Sequence, residues 1–275
     1  MNLRYLLGLN IYDTKLSELV AYLDKIIRGN QKKSIFGISA AAFARLKFRP
    51  DLYGIYKKFD ILIAEGAGLP HLAHLFGTKI SEKIGLVNLT FSLLELAHHN
   101  KYRIFLFGAT QEVNELTAKK IKDRYPKIEV CEGRNGYFDE DDLDSIVDQI
   151  NSCKPHILLI GISYPIKERF AIRYKNKLHT NLIVPCGGAF EVIAGKIRVP
   201  KRSFKKVPVV WLYRLIQEPR RMFKDVFITV MYSVFYVMPI LYLKHITRLE
   251  RNPDIGRFFK LTGNEWDSEH GKIKP

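Results

Sequence analysis

Cysteine is scarce in this 275-residue chain, and its three positions follow no metal-binding or disulfide pattern. Cys131, Cys153 and Cys186 are odd in number and widely spaced, with no C-x-x-C and no Cys/His cluster. The eight histidines show no H-E-x-x-H or other metal-ligand spacing. This scarcity argues against a disulfide-stapled fold and a structural zinc site, and it predicts reduced, buried thiols in a cytosolic protein.

Several other signals are missing. The first 13 residues, M-N-L-R-Y-L-L-G-L-N-I-Y-D, hold too short an apolar run and no small-residue cleavage site for a secretory signal, so we expect a cytoplasmic protein. No G-x-G-x-x-G or Walker A loop occurs, which removes the strongest nucleotide motifs. A pI near 9.6 could suggest nucleic-acid binding, but no recognised nucleic-acid motif is present.

The chain does contain short apolar runs that alternate with helical patterns. Strand-like runs lie at 34–39, 59–64, 103–107, 127–131, 156–161 and 182–185, and helical patterns at 14–28, 40–46, 88–98, 112–124, 139–152 and 167–178. Asn88 or Thr90 would cap the third helix. Such alternation is typical of βαβ units, so we predict a Rossmann-like α/β fold over residues 1–197, with a mostly parallel sheet and helices on both faces.

Four of these strands end in turns suited to a binding crevice. The turns are Glu65-Gly66, Gly108-Ala109-Thr110, Gly161-Ile162-Ser163 and Gly187-Gly188-Ala189. Ligands of parallel sheets bind beyond the carboxyl ends of the strands, so we expect these turns to meet. The turn at Gly108 either cradles phosphate through backbone N–H groups at a helix start or is an ordinary tight turn.

Three charged residues near these turns have two interpretations each. Glu65 is either a general base facing the crevice or a turn residue that caps a helix. Glu191 either lines the crevice or pairs with a nearby Lys or Arg. Lys167 either meets a phosphate or lies on a solvated first helical turn.

Positive charge is concentrated near the C-terminus. Residues 198–224 hold nine Lys and Arg around Trp211 and Tyr213 against a single acid, Glu218, which is half of the net charge of +16. Such a segment favours phosphate on a nucleic acid, a lipid headgroup or a sugar diphosphate.

The uncharged run at 226–243 follows the basic segment and has three interpretations. It could be a marginal transmembrane span. It could lie in the membrane interface on an apolar face of Phe227, Val230, Met231, Val234, Phe235 and Met238, or it could be a helix buried against the core or in an oligomer. We favour the interfacial helix, and we divide the appendage into residues 198–260 and a polar tail, 261–275.

Six blocks of the sequence follow one another in a specific order. They are L-F-G-A-T at 106–110, Y-P-K-I at 125–128, G-Y-F at 136–138, K-P-H-I-L-L-I-G-I-S-Y-P at 154–165, G-G-A-F-E-V-I-A-G-K-I-R-V-P at 187–200 and W-L-Y-R-L-I-Q-E-P-R-R at 211–221. With these blocks the chain resembles, over residues 1–225, the WecG/TagA/CpsF family of bacterial glycosyltransferases. The resemblance implies inverting, metal-independent transfer of a sugar from a UDP-sugar to a saccharide on polyprenyl diphosphate. It places the protein peripherally on the cytoplasmic face of the bacterial inner membrane, without a cofactor.

The chain departs from the family pattern at several pocket positions. The family's Thr-x-Asn is Gly37-Ile38-Ser39 here, its Asp-Gly is Glu65-Gly66, and the Arg and Asp around its Gly-x-Asp turn are Lys83 and Asn88. Lys167 replaces a Gln, and Glu191 replaces an Asp. The resemblance therefore carries the family's fold over to this chain more directly than it carries the family's substrate.

Together, motifs and resemblance define a candidate site. Glu65 is the candidate base. The donor would contact Ser39, Gly66, Gly108, Ala109, Tyr137, Ser163, Lys167, Gly187, Gly188 and Glu191, and the acceptor or diphosphate would contact Lys83, Asn88, Arg198, Arg214, Arg220 and Arg221. Expected partners are a UDP-sugar, a polyprenyl-diphosphate-linked acceptor and an anionic membrane surface, with no metal and no nucleic acid. A homo-oligomer and a non-catalytic homologue that binds a partner in polysaccharide assembly stay open as alternatives.

Overall fold

One eight-stranded sheet organises the protein. The computed structural model describes residues 1–46, 49–66 and 68–197, together with Phe227, Val230, Met231, Phe235 and Pro239. The strands are β1 (Asn2–Leu6), β2 (Leu9–Asp13), β3 (Lys33–Ile38), β4 (Ile61–Ala64), β5 (Arg103–Gly108), β6 (Glu129–Val130), β7 (Ile157–Gly161) and β8 (Leu182–Pro185). Their order is β1-β2-β4-β3-β8-β7-β5-β6, and every pairing is parallel except the β1–β2 hairpin. The predicted mostly parallel α/β fold is confirmed.

Helices cover both faces of the sheet. They are α1 (Leu16–Arg28), α2 (Ala40–Leu46), α3 (Pro50–Lys57), α4 (Gly68–Leu75), α5 (Leu86–Asn100), α6 (Gln111–Arg124), α7 (Leu143–Cys153), α8 (Ile166–Arg173) and α9 (Ala189–Ala194), with a short 3-10 helix at Glu140–Asp142. Side chains of α2, α3, α4, α7 and α8 form one apolar core. Those of α1, α5, α6 and α9 form a second core on the opposite face.

The apolar patterns of the sequence explain these layers. The central strands β4 and β8 are buried along their whole length, because helices exclude water from both sides of the sheet. In α1, the buried residues Leu19, Leu23, Ile26 and Ile27 recur at helical spacing and form one stripe. In the sequence, a strand buried on both faces is therefore a continuous apolar run, whereas a helix buried on one face has apolar residues at regular intervals.

Several element boundaries differ from the sequence prediction. The β1–β2 hairpin, α3 and α9 were not predicted as elements, and α3 begins at Pro50. Proline is well suited to a first helical turn because it needs no N–H partner there. Helix α5 begins at Leu86 with Gly85 as its N-cap, so the predicted caps Asn88 and Thr90 lie inside it. Helix α8 ends at Arg173 rather than at 178.

Two of the three cysteines lie side by side in the structure. Cys131 and Cys153 bring their sulfur atoms together, with their Cα atoms 6.2 Å apart, and their reduced state stays a prediction. Packing brings the residue after β6 against the last turn of α7, and a separation of 22 residues along the chain does not reveal that contact. Cys186 is free and buried, as predicted.

The basic and apolar appendage lies largely outside the described residues. Of residues 198–275 the structure describes only Phe227, Val230, Met231, Phe235 and Pro239. The division into a core, an appendage and a tail therefore stays a prediction.

Candidate active site

The topology opens a crevice at the carboxyl edge of the sheet. The connection that leaves β5 goes through α6 to β6 on one side, and the connection that leaves β7 goes through α8 to β8 on the other side. Ligands of open α/β sheets bind at such a switch point. The backbones of Gly108 and Gly161 approach each other closely here. A Cβ on Gly108 would lie only 2.4 Å from the Gly161 carbonyl carbon, so no larger residue fits at position 108 without a shift of the backbone.

Glu65 stands at this edge, immediately after β4. Its backbone N–H donates to the Ile38 carbonyl at 2.9 Å, which extends the β3–β4 pairing by one step. Its carboxylate Oε1 accepts from the Leu86 N–H at 3.4 Å, at the first residue of α5. The positive end of a helix dipole favours a charged carboxylate in that position. The structure therefore shows Glu65 at the carboxyl edge of the sheet with its side chain at the start of a helix, and its role as a general base stays a prediction.

The neighbouring strand end, after β3, carries Ser39. Its Oγ accepts from the Ala42 N–H at 3.2 Å, so this side chain serves as the N-terminal cap of α2. Gly66, on the other side of Glu65, is exposed and has a positive φ of 71°. Only glycine adopts that backbone conformation without strain, so Gly66 turns the chain away from β4.

A buried ion pair occupies the first turn of α8. Lys167 Nζ lies 2.8 Å from Oε1 of Glu168, a contact that lacks hydrogen-bond geometry, and Oε2 of the fully buried Glu168 has no hydrogen-bond partner. The same ammonium lies 5.6 Å from the ring centroid of Tyr164 and 5.8 Å from that of Phe36. Lys167 is 8% exposed, so the interpretation of a solvated first turn is wrong.

Glu191 and Lys167 converge on the end of β8. Burial raises the pKa of the Cys186 thiol to about 12, with the Glu191 carboxylate adding to that effect and the Lys167 ammonium opposing it. Oε2 of Glu191 is buried without a hydrogen-bond partner and would lie 3.6 Å from a Cβ on Gly188. The Glu191 carboxylate thus lies beside the glycine turn after β8, where Gly187 has a φ of 58°.

The turn after β5 uses its backbone N–H groups within the protein. The Gly108 N–H donates to the Arg134 carbonyl at 2.8 Å, and the Ala109 N–H donates to the Gly161 carbonyl at 2.9 Å. Thr110 Oγ1 accepts from the Val113 N–H and caps α6. A phosphate at this turn would therefore meet the first turn of α6 rather than the N–H groups of Gly108 and Ala109.

The other predicted contacts in the described part of the chain are exposed. Tyr137 is 66% exposed, on the loop that follows the Arg134 bridge to β5, and Ser163 is exposed after β7. Lys83 is exposed in the segment that leads to α5, and Asn88 is exposed on the first turn of that helix. These four side chains are accessible to a ligand. Arg198, Arg214, Arg220 and Arg221 lie outside the described residues.

Two residues near the crevice were not predicted. Asn114 is buried, and its Nδ2 donates to the carbonyls of Leu106, Gly108 and Arg134, which ties the turn after β5 to its neighbouring loop. Arg45 places its guanidinium 4.9 Å from the Tyr164 ring centroid. Burial raises the pKa of Tyr164 to about 12, with Arg45 opposing, so Tyr164 stays a neutral phenol at physiological pH. Neither residue belongs to a motif, so nothing in the sequence pointed to them.

The described residues hold neither a cluster of metal-binding side chains nor a helix that could span a membrane. In that part of the chain no group of three or more His, Cys, Asp or Glu side chains is arranged to hold a metal ion. Likewise, among residues 1–46, 49–66 and 68–197 and the five separate positions, no helix is long and apolar enough to cross a membrane. Metal independence and the mode of membrane contact both stay predictions.

The chain is similar to known glycosyltransferases. The sequence profile described as "Glycosyl transferase WecG/TagA/CpsF family" matches residues 4–246. An N-acetylglucosaminyldiphosphoundecaprenol N-acetyl-beta-D-mannosaminyltransferase of Bacillus spizizenii is 26% identical over 216 residues, 78% of this chain and 82% of that protein. A protein of the same name from Staphylococcus aureus strain MRSA252 is 29% identical over 160 residues, 58% of this chain and 62% of that protein.

Proposed function

The chain belongs to the WecG/TagA/CpsF family of glycosyl transferases, and from that premise we propose that it transfers an N-acetylhexosamine from a UDP-sugar to N-acetylglucosamine carried on undecaprenyl diphosphate. The observation that carries the proposal is the family match from residue 4 to 246, which includes all but the first three residues of the described core. The names of the Bacillus and Staphylococcus relatives supply the acceptor and the class of sugar. The product would enter a cell-surface polysaccharide.

The proposed chemistry is a single displacement. The acceptor hydroxyl oxygen attacks the anomeric carbon on the face opposite the nucleotide, and the bond from that carbon to the diphosphate oxygen breaks. The electron pair of the broken bond leaves with UDP, and the hydroxyl proton goes to the Glu65 carboxylate, so the anomeric configuration inverts. The position of Glu65 after β4, with Oε1 held by the Leu86 N–H, supports this role because the base is oriented before substrate arrives.

The leaving diphosphate needs positive charge. Arg214, Arg220 and Arg221 are assigned to it, because guanidinium groups pair bidentately with phosphate oxygens. Neutralising the departing charge in this way can replace a metal ion. This assignment rests on the sequence of the appendage alone.

The proposed location is peripheral, on the cytoplasmic membrane face. The basic segment 198–224 would attract anionic lipid at roughly 1 kcal/mol per charge. Phe227, Val230 and Phe235 are 54%, 49% and 70% exposed, which suits an apolar face that enters the headgroup region.

Truncation before residue 226 should weaken binding to anionic vesicles while the core stays folded. Arg220→Ala with Arg221→Ala should reduce activity more than vesicle binding, and equal losses of both would remove the diphosphate assignment.

The test uses the full-length chain with anionic vesicles and a short-chain polyprenyl diphosphate that carries N-acetylglucosamine. A panel of UDP-sugars is offered, and UDP release and product mass are measured with and without the acceptor. We expect acceptor-dependent UDP release with a UDP-N-acetylhexosamine and a product one N-acetylhexosamine heavier. A folded protein that binds the acceptor and releases no UDP from any donor would instead be the non-catalytic homologue, which the changed pocket positions Glu65 and Lys167 leave open.

A further inference from the structure

Gly37 is an unexpected residue for its position in the fold. It lies inside the buried strand β3, paired in register with Ile63 of β4. Its φ is outside the left-handed region, so the backbone does not require glycine there. Glycine weakens a strand interior, and it commonly marks a place where another group approaches the backbone closely. The space beside Gly37 therefore needs a physical reason.

The group that approaches Gly37 is the Glu65 side chain. A Cβ built on Gly37 would lie 3.0 Å from Glu65 Oε2 and 3.1 Å from Glu65 Cβ. The same Cβ would lie 3.0 Å from Cγ of Leu86, the residue whose N–H donates to the other carboxylate oxygen. Side chains alternate along a strand, so Gly37 shares the face of Ile35, which packs in the same core as Leu86. The missing side chain thus leaves the space in which the carboxylate lies.

From this geometry we infer that Gly37 is a positioning residue for Glu65, one whose lack of a side chain holds the carboxylate against the start of α5. Of the three close atoms, the carboxylate oxygen is the far end of a flexible side chain and can move furthest, whereas Leu86 Cγ and Glu65 Cβ need to give by only a few tenths of an ångström. We therefore expect an alanine at 37 to displace the carboxylate most. The fold then survives while the base is displaced, and a displacement of about 1 Å can cost on the order of 10²-fold in rate. A carboxylate shorter by one methylene needs less of this space.

The inference rests on the proposed function for its kinetic part, and its test is a double-mutant cycle with two readouts. The four proteins are the natural chain, Gly37→Ala, Glu65→Asp and the double variant. Turnover is measured as acceptor-dependent UDP release, and stability is measured by urea unfolding, which needs no activity. Gly54→Ala is the matched control, because a Cβ on Gly54 would meet nothing within 4 Å.

We expect Gly37→Ala to lower kcat about 10- to 100-fold with little change in the donor KM, and Gly54→Ala to leave both unchanged. The double variant should turn over at least about tenfold faster than the product of the two single effects predicts, because aspartate relieves the contact. In urea, the destabilisation by Gly37→Ala should be smaller in the Glu65→Asp background. Strictly additive effects on unfolding would overturn the inference.

Two further outcomes separate this inference from the proposed function. If no donor supports turnover but the unfolding effects are coupled, the proposed function fails and the contact between Gly37 and Glu65 stands. If Gly37→Ala does not fold, Gly37→Ala with Glu65→Ala decides the matter, because an alanine at position 65 keeps its Cβ but lacks the carboxylate. A double variant that folds supports the inference. One that also fails to fold places the obstacle at Leu86 or at the Cβ of residue 65, and overturns it.

Discussion

The two edges of the same sheet differ in how many hydrogen bonds their carboxylates accept. At the amino-terminal edge, Asp60 accepts hydrogen bonds from the Ser34 N–H at 2.7 Å and from the Ser34 hydroxyl at 2.8 Å, and it pairs with Lys175 at 2.7 Å. At the carboxyl-terminal edge, Glu168 and Glu191 each hold a buried oxygen without a hydrogen-bond partner. Leaving such atoms without partners is costly, and where native proteins retain them a functional reason is expected.

A second network at the amino-terminal edge strengthens the contrast. Asp24 accepts from the Tyr102 hydroxyl at 2.6 Å and from Arg28 Nε at 2.8 Å, which joins α1 to the start of β5. Burial, reinforced by the hydrogen bond to Asp24, raises the pKa of Tyr102 to about 12, so it donates as a phenol throughout the physiological range. Among the described residues, the amino-terminal edge thus supplies hydrogen bonds to Asp24 and Asp60, whereas Glu168 and Glu191 at the carboxyl-terminal edge keep buried oxygens without them.

The largest expected effect lies at the carboxyl-terminal edge. Glu65→Gln should lower turnover by about 10²-fold or more, because the amide cannot take the acceptor proton, while urea unfolding stays near that of the natural chain. UDP release and urea titration measure the two quantities. Glu95→Gln, an exposed change on α5, is the control. Near-normal turnover in folded Glu65→Gln would remove Glu65 from the mechanism.

The opposite pattern is expected at the amino-terminal edge. Asp60→Ala should lower the free energy of unfolding by about 1–3 kcal/mol, because it leaves the Ser34 N–H and the Lys175 ammonium without their acceptor. Turnover of the remaining folded enzyme should not change. Asp144→Ala breaks only an exposed pair with Lys177 and should be nearly neutral. Equal destabilisation by both changes would contradict the contrast between the edges.

Acid should weaken this edge through the same carboxylate. Burial alone would raise the pKa of Asp60, but the hydrogen bonds from Lys175 and Ser34 outweigh it and lower the pKa. The folded state then binds fewer protons than the unfolded state, so this stabilisation is present above about pH 4 and is lost as pH falls below it. Urea unfolding of the natural chain between pH 5 and pH 3 should show that loss, and Asp60→Ala should show less of it.

A smaller pH effect is expected at His156. Its Nδ1 accepts from the Arg103 N–H at 2.9 Å, and burial, with Arg103 assisting, lowers its pKa. Protonation is therefore easier in the unfolded chain, and stability should fall as pH drops below about 6.5. His156→Gln should flatten this slope in urea unfolding between pH 7.5 and pH 5. His71→Gln, an exposed change on α4, should leave the slope as it is.

No effect is expected from the removal of divalent metal ions. Turnover should be unchanged after EDTA treatment, because arginines are assigned to the leaving diphosphate. UDP release before and after chelation measures this. Loss of activity that only Mg²⁺ or Mn²⁺ restores would show that the carboxyl-terminal edge needs a metal.

The sequence by itself determined the class of fold and which turns lie at the carboxyl edge of the sheet. Continuous apolar runs such as β4 and β8 and the periodic stripe of α1 are local patterns, and each reflects burial on two faces or on one. The turns at Glu65 and Gly108 follow from strand ends, and parallel strands place those ends at one edge. The hairpin β1–β2 and the short α9 were not predicted, because short elements are stabilised by their neighbours and have too few residues to show a periodic pattern.

Only the tertiary structure decided which side chains share the site and in what state. The Lys167–Glu168 pair is buried because α8 packs on the sheet, whereas a charged first turn read alone predicts solvent exposure. The contact between Cys131 and Cys153 joins residues 22 positions apart, and the contact between Gly37 and Glu65 joins residues 28 positions apart. Such contacts depend on distances of a few ångströms between separate elements, and no local pattern of residues encodes those distances.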